Sequence, residues 1–189
     1  LKGHVMNGYP MRVTCLVASV IGFLVMAGCK TAPGSVQGKA DIESDAAVAL
    51  AKAQTTDPTL VNIFNSAAGY GVFPSVGKGA AGIGGAYGKG VLYERGIAVG
   101  YCDLSQASIG LQLGGQSYTE IIAFETKQAV ETFKQGNFRF DAQATAVALK
   151  SGAGANAKFT NGVAVFTMDE AGLMYEASVG GQKFSYQAK

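Results

Sequence analysis

The stretch "GKGAAGIGGAYGKG", residues 77 to 90, decides how this chain folds. Seven of its fourteen residues are glycine, two are lysine and none is acidic. Such a run suits three roles: cradling a phosphate, zipping apolar helices together, or letting strands pass closely. A phosphate loop needs a glycine five residues before the Gly-Lys, then Ser or Thr. Ile83 and Val72 occupy those upstream places, and Gly90 and Gly79 follow the two lysines. A dinucleotide fingerprint starting at Gly82 needs glycine where Tyr87 stands, and it must open a helix. Here "GVLYE" reads as strand instead. A glycine-zipped membrane helix needs about 20 apolar residues, more than Lys78 and Lys89 leave between them. Close passage of backbones remains, with glycines leaving a smooth strand surface that tolerates bulges.

On either side, the pattern from Tyr70 onward repeats every two residues. "GIAVGYCD" alternates Ile97, Val99 and Tyr101 with smaller residues, and "ASIGLQLGG" aligns Ile109, Leu111 and Leu113. "YTEIIAFET", "GVAVFTMD", "AGLMYEASVG" and "QKFSYQAK" read as further strands, with turns at Asp169-Glu170 and Gly180-Gly181. "RFDAQATAVALK" puts Ala142, Ala144, Ala146 and Ala148 on one smooth side. Between strands, "KQAVETFKQG" spaces Ala129, Val130 and Phe133 as a helix that ends at Gly136. Upstream, an alanine-rich helix runs to Gln54 with Asp41 or Ser44 as its cap. A second helix starts after Asp57 with Pro58 in its first position, and Leu60, Ile63 and Phe64 share one face. The expected class is α+β: a curved, partly closed antiparallel sheet with short N-terminal helices and one helix between strands.

The N-terminus carries a targeting pattern. Met11-Arg12 precedes an apolar run from Val13 to Met26, closed by Ala27, Gly28 and Cys29, which describes an export signal. Met26-Ala27-Gly28-Cys29 resembles the lipobox of bacterial lipoproteins, in which the cysteine is acylated and becomes the new N-terminus. The expected organisation is a signal peptide with lipobox at 1–28, a flexible tether at 29–40 and one domain at 41–189. Lys30 follows the cysteine, where aspartate is the usual inner-membrane retention signal. By resemblance this favours the periplasmic face of the outer membrane.

Composition narrows the chemistry. Loss of Lys2 and Arg12 with the signal takes Lys+Arg from 15 to 13, equal to Asp+Glu at 13. A neutral body does not attract nucleic acid electrostatically. The single histidine, His4, lies upstream of the cleavage point, which removes histidine triads and histidine metal sites. With Cys15 in the signal and Cys29 acylated, Cys102 has no partner for a disulfide and reads as a small buried hydrophobe. Glu120 and Asp141 are candidates for a paired carboxylate, but ordinary structural positions explain them better. No enzyme activity and no cofactor are expected.

Three ordered words carry a family resemblance: "GYGVFPSVGKGAAGIGGAYGKGVLY", "VGYCDLSQASIGLQLGGQSYTEIIAFET" and "AGLMYEASVGGQKF". They resemble the SYLF domain, a lipid-binding module of bacterial exported proteins and of eukaryotic proteins linked to phosphoinositides and actin. The resemblance runs from about Ala68 to the end. It implies a non-enzymatic protein that binds membrane phospholipid or another amphiphile. Eukaryotic members are similar in using a basic N-terminal helix, but Asp41, Glu43 and Asp45 stand against Lys52 here. In this sequence Lys78 and Lys89 offer cations to a phosphate, while Phe73 and Tyr87 offer apolar bodies to the acyl boundary. Cys29 is the expected lipid attachment point. The alternative is an envelope interaction protein that binds another protein.

Overall fold

The computed structural model describes residues 33, 35–78, 84–108, 116–136, 138–140, 145–169 and 177–189. Helix α1 (Val36–Thr56) begins where the Ser35 hydroxyl accepts from the Gly38 N–H at 3.0 Å. It therefore starts inside the segment read as tether, ahead of the expected caps Asp41 and Ser44. No proline lies in Val36–Ala40, so the earlier serine takes the cap. The face that α1 turns inward is Ala46, Ala49 and Ala53. Helix α2 (Leu60–Ser66) buries Leu60 and Phe64, matching the expected stripe.

Asp57 fixes the corner between these helices. Its fully buried carboxylate accepts from the N–H and hydroxyl of Thr59 and from the N–H groups of Gly152 and Gly154. Burial alone would raise its pKa, but the donors from Gly154, Thr59 and Gly152 outweigh it and hold the carboxyl below its ordinary value.

The strands are β1 (Gly69–Lys78), β2 (Gly84–Glu94), β3 (Ile97–Ser108), β4 (Gln116–Phe124), β5 (Thr145–Ala148), β6 (Val163–Asp169), β7 (Ala177–Ser178) and β8 (Lys183–Ala188). Helix α3 (Lys127–Lys134) lies between β4 and β5, and Gly136 follows it at φ 71°. The spatial order is β7-β5-β6-β4-β1-β2-β3-β8. Every neighbouring pair is antiparallel except β5 with β6, which is parallel. The expected all-antiparallel sheet thus gains one parallel pair, because residues 149–162 cross over between β5 and β6.

This sheet does not close into a barrel; β7 and β8 are its two edges. The short link 179–182 joins them, so the edges lie within about 17 Å of each other. An Arg139–Lys183 bridge and a bond from the Gly181 N–H to the Phe140 carbonyl at 3.2 Å tie the approach to β5 onto the start of β8.

Each face of the sheet has its own core. On one, α3 helps to build a phenylalanine cluster, with Phe133 4.9 Å from Phe124 and 5.3 Å from Phe184 between ring centroids. On the other, α1 and α2 cover Tyr70, Val72, Val91, Tyr93 and Ile121. The glycines of β2 do what close passage requires. A Cβ at Gly90 would sit 2.5 Å from the Val72 carbonyl oxygen and 2.7 Å from the Phe73 ring. At Gly88 it would meet Val76 at 2.8 Å. Side chains there would push β1 off β2. Cys102 is buried; desolvation first and the Asp103 charge second push its thiol pKa up, away from reactivity.

Candidate functional site

A proline interrupts the central strand β1. Pro74 has no N–H to donate, so within a sheet interior it is tolerated at a bulge. Both ladders slip at this place: the β1–β2 register shifts between Val72 and Ser75, and the β1–β4 register between Phe73 and Val76. The Thr119 hydroxyl donates to the Pro74 carbonyl at 2.9 Å, satisfying a group that the broken ladder releases.

Beside the bulge lies a cleft of about 510 Å³. Pro74, Ser75 and Thr119 line its sheet side together with Tyr87 and Lys89 of β2. Ile42, Asp45, Val48 and Lys52 line it from α1. Their spacing of three to four residues places them on one stripe of the helix. Tyr87 is 44% exposed, and its hydroxyl donates to Asp103 Oδ1 at 2.9 Å. Ser185 donates to the other Asp103 oxygen at 3.1 Å. The phenol is therefore held by its tip while its ring stays open to the cleft. Among the described residues, Asp45, Lys52 and Lys89 take part in no ion pair.

The helical wall is held at its ends. Tyr101 donates its hydroxyl to Glu43 at 2.6 Å, and the Lys189 ammonium lies 3.0 Å from the other carboxylate oxygen. Lys39 sits 5.1 Å above the Tyr101 ring. The Tyr101 hydroxyl first, then Lys189, holds the Glu43 carboxyl below its ordinary pKa. Desolvation and the bond to Glu43 push the Tyr101 phenol up to about 12.

The residues expected at the lipid contact separate. Tyr87 and Lys89 reach the cleft together. Phe73 is fully buried, its ring centroid 5.8 Å from that of Phe184, so it builds the core and presents no surface to an acyl chain. Its position beside the bulge turns it inward. Lys78 closes β1 opposite Ala86 and Gln116; its side chain lies outside the described residues. Cys29 and the lipobox lie outside them as well, as do Asp141, Ala142, Ala144, Ile109, Leu111 and Leu113. Glu120 is fully buried and accepts from the Gln182 amide at 2.9 Å. Sequence reasoning missed the α1 stripe and Thr119. The signals for the stripe were its helical spacing and a proline in the middle of a strand pattern.

A second hollow of about 440 Å³ lies between α3 and the β2–β3 turn, lined by Glu94, Arg95, Lys127 and Glu131. Lys134 pairs with Glu94 at 2.5 Å and with Glu131 at 3.0 Å, so charges of both signs largely satisfy each other there. Among the described residues, no group of three His, Cys, Asp or Glu side chains could hold a metal ion. No described helix is long and apolar enough to cross a membrane.

Residues 105–189 match the family Ysc84, described as Las17-binding protein actin regulator. That range holds β4 to β8 and all of the phenylalanine core except Phe73. Of the cleft residues it includes Thr119 alone. The chain is also similar to the beta cell expansion factor A of Aeromonas veronii, with 28% identity over 144 residues. The matched part is 76% of this chain and 55% of that protein, so the chain spans about half the length of its relative. These matches support the resemblance to the SYLF family that the ordered motifs from Phe73-Pro74-Ser75 to Gly180-Gly181 carry.

Proposed function

We propose that this chain is an exported, lipid-anchored envelope protein whose SYLF domain binds phospholipid or a similar amphiphile, without catalysing a reaction. One observation carries the reading: the α1 cleft sets apolar groups from Ile42, Val48 and Pro74 beside the cations Lys52 and Lys89, which have no ion-pair partner among the described residues. An amphiphile satisfies both halves, with its phosphate at the ammonium groups and its chain on the apolar side. Each surface cation contributes about 1 kcal/mol at an anionic membrane. Two are weak alone. Acylation of Cys29 holds the domain at the bilayer and raises the effective lipid concentration. The periplasmic face of the outer membrane follows from Lys30.

Co-sedimentation of the Lys30–Lys189 chain with vesicles tests the binding. Anionic vesicles should retain it above phosphatidylcholine vesicles, and Lys89→Ala should weaken that retention about fivefold. Background recovery with both vesicle types would refute lipid recognition. Radiolabelled palmitate should appear on the full chain and vanish in Cys29→Ala; an unlabelled, uncut chain would refute the anchor. The second reading is an envelope module that binds another protein, and it draws on the family description, which names a protein partner. Retention of an envelope protein by the domain, with no retention on vesicles, would favour it.

A further inference from the structure

The cleft holds three charged side chains of two signs, all without ion-pair partners among the described residues: Asp45, Lys52 and Lys89. Asp45 and Lys52 stand seven residues apart on α1, about 10.5 Å along the axis, so one stripe presents a carboxylate and an ammonium in sequence. Lys89 enters from the sheet, beside the Tyr87 ring. A purely anionic head would satisfy the two lysines but lie next to the Asp45 carboxylate. A cation would satisfy Asp45 but face both lysines. A head with both signs meets all three.

From this charge pattern we infer that the cleft selects a zwitterionic membrane lipid whose head carries a phosphate and a primary ammonium, as phosphatidylethanolamine does. The phosphate lies between Lys52 and Lys89, and the ammonium donates to Asp45. One acyl chain leaves along Val48 and Pro74. A primary ammonium brings N–H donors to a carboxylate, whereas a trimethylammonium brings none. The cleft therefore discriminates ethanolamine from choline through Asp45. This inference deepens the amphiphile reading of the same site and rests on it.

The test uses the full chain and vesicles of three compositions: phosphatidylcholine alone, and phosphatidylcholine with either phosphatidylethanolamine or phosphatidylglycerol. Every arm carries the same N-terminal residues, so differences between arms report the head. Ethanolamine vesicles should retain the chain about two- to fivefold better than choline vesicles, the worth of one exposed charge pair. Asp45→Asn should abolish that preference and leave phosphatidylglycerol binding equal or stronger. Soluble phosphoethanolamine should compete with the wild type more effectively than phosphocholine, which tests the inference without a variant. Equal retention on ethanolamine and choline vesicles would overturn it. So would an unchanged preference in Asp45→Asn, which would assign the effect to bilayer packing. In both cases retention on some vesicle leaves the amphiphile reading standing; background recovery on all three removes both.

Discussion

The two faces of the sheet are covered by different means. On one, large rings interlock: Phe73, Phe124, Phe133 and Phe184 are at most 5% exposed, and α3 contributes Phe133 and Val130 to the cluster. On the other, α1 docks through Ala46, Ala49 and Ala53, which offer little area but allow close approach. Polar contacts also hold α1, from Glu43 to Tyr101 two turns into the helix and at the Asp57 corner that ends it. Burial scales with apolar area, so the ring face supplies far more stability per residue. The helix face has less to lose, and between its two fastenings it leaves room for the cleft. The ring-packed core and the cleft thus lie on opposite sides of one sheet.

That division can be broken by substitution. Phe133→Ala should have the largest effect, a loss of about 3–5 kcal/mol in denaturant unfolding, because a large ring leaves a fully packed site. The fraction that stays folded should keep its vesicle binding; parallel loss of both would show that the faces are not separable. Gly90→Ala should come next, at about 1–3 kcal/mol, since its Cβ lands on the Val72 carbonyl and the Phe73 ring. Wild-type stability in that variant would mean that β1 and β2 separate easily and that close passage is not required.

The helix side should respond less. Asp57→Ala removes the acceptor of four bonds at the α1–α2 corner and should cost about 1–2 kcal/mol. Amide exchange should quicken in α2 and around Gly152–Gly154 before it does in β4. Smallest is Tyr101→Phe, at about 0.5–1.5 kcal/mol, and it sharpens the comparison through pH. The Glu43 carboxyl falls on folding, so its contribution is present above its ordinary value of 4.5 and is lost as pH drops through the folded value. The Tyr101 phenol rises on folding, so its contribution is full below its ordinary value of 10.0 and is lost as pH climbs toward about 12. Docking of α1 should therefore be firmest between these limits. Exchange of α1 amides should quicken on both sides, while β4 stays protected further out. Tyr101→Phe should remove the alkaline limb; an equal alkaline loss in the variant would detach Tyr101 from the latch.

Much of this was legible along the chain. Strand alternation around Ile121 and Phe124, the helix at Val130 and Phe133, and the stop at Gly136 follow from local spacing. The glycine run was read by elimination, and Gly88 and Gly90 occupy the tight places that reading requires. Phe73 was misplaced because alternation alone cannot register a bulge. The slip at Pro74 turns the phenylalanine into the core and leaves the proline beside the cleft. The start of α1 was placed late because several capping residues compete locally, and one-dimensional pattern does not rank them.

By itself the sequence determined that the chain is β-rich, where its strands and its central helix run, and that glycine lets β1 and β2 lie against each other. Those properties come from side-chain period and backbone sterics, which act within a few residues. The tertiary structure alone decided that β7 and β8 become opposite edges joined by the link 179–182, and that the buried Gln182 meets Glu120. It also decided that Asp45 and Lys52 face Lys89 across one cleft. Such pairings join residues far apart in the chain, and they exist only once burial of the two cores has offset the entropy of closing the loops between them.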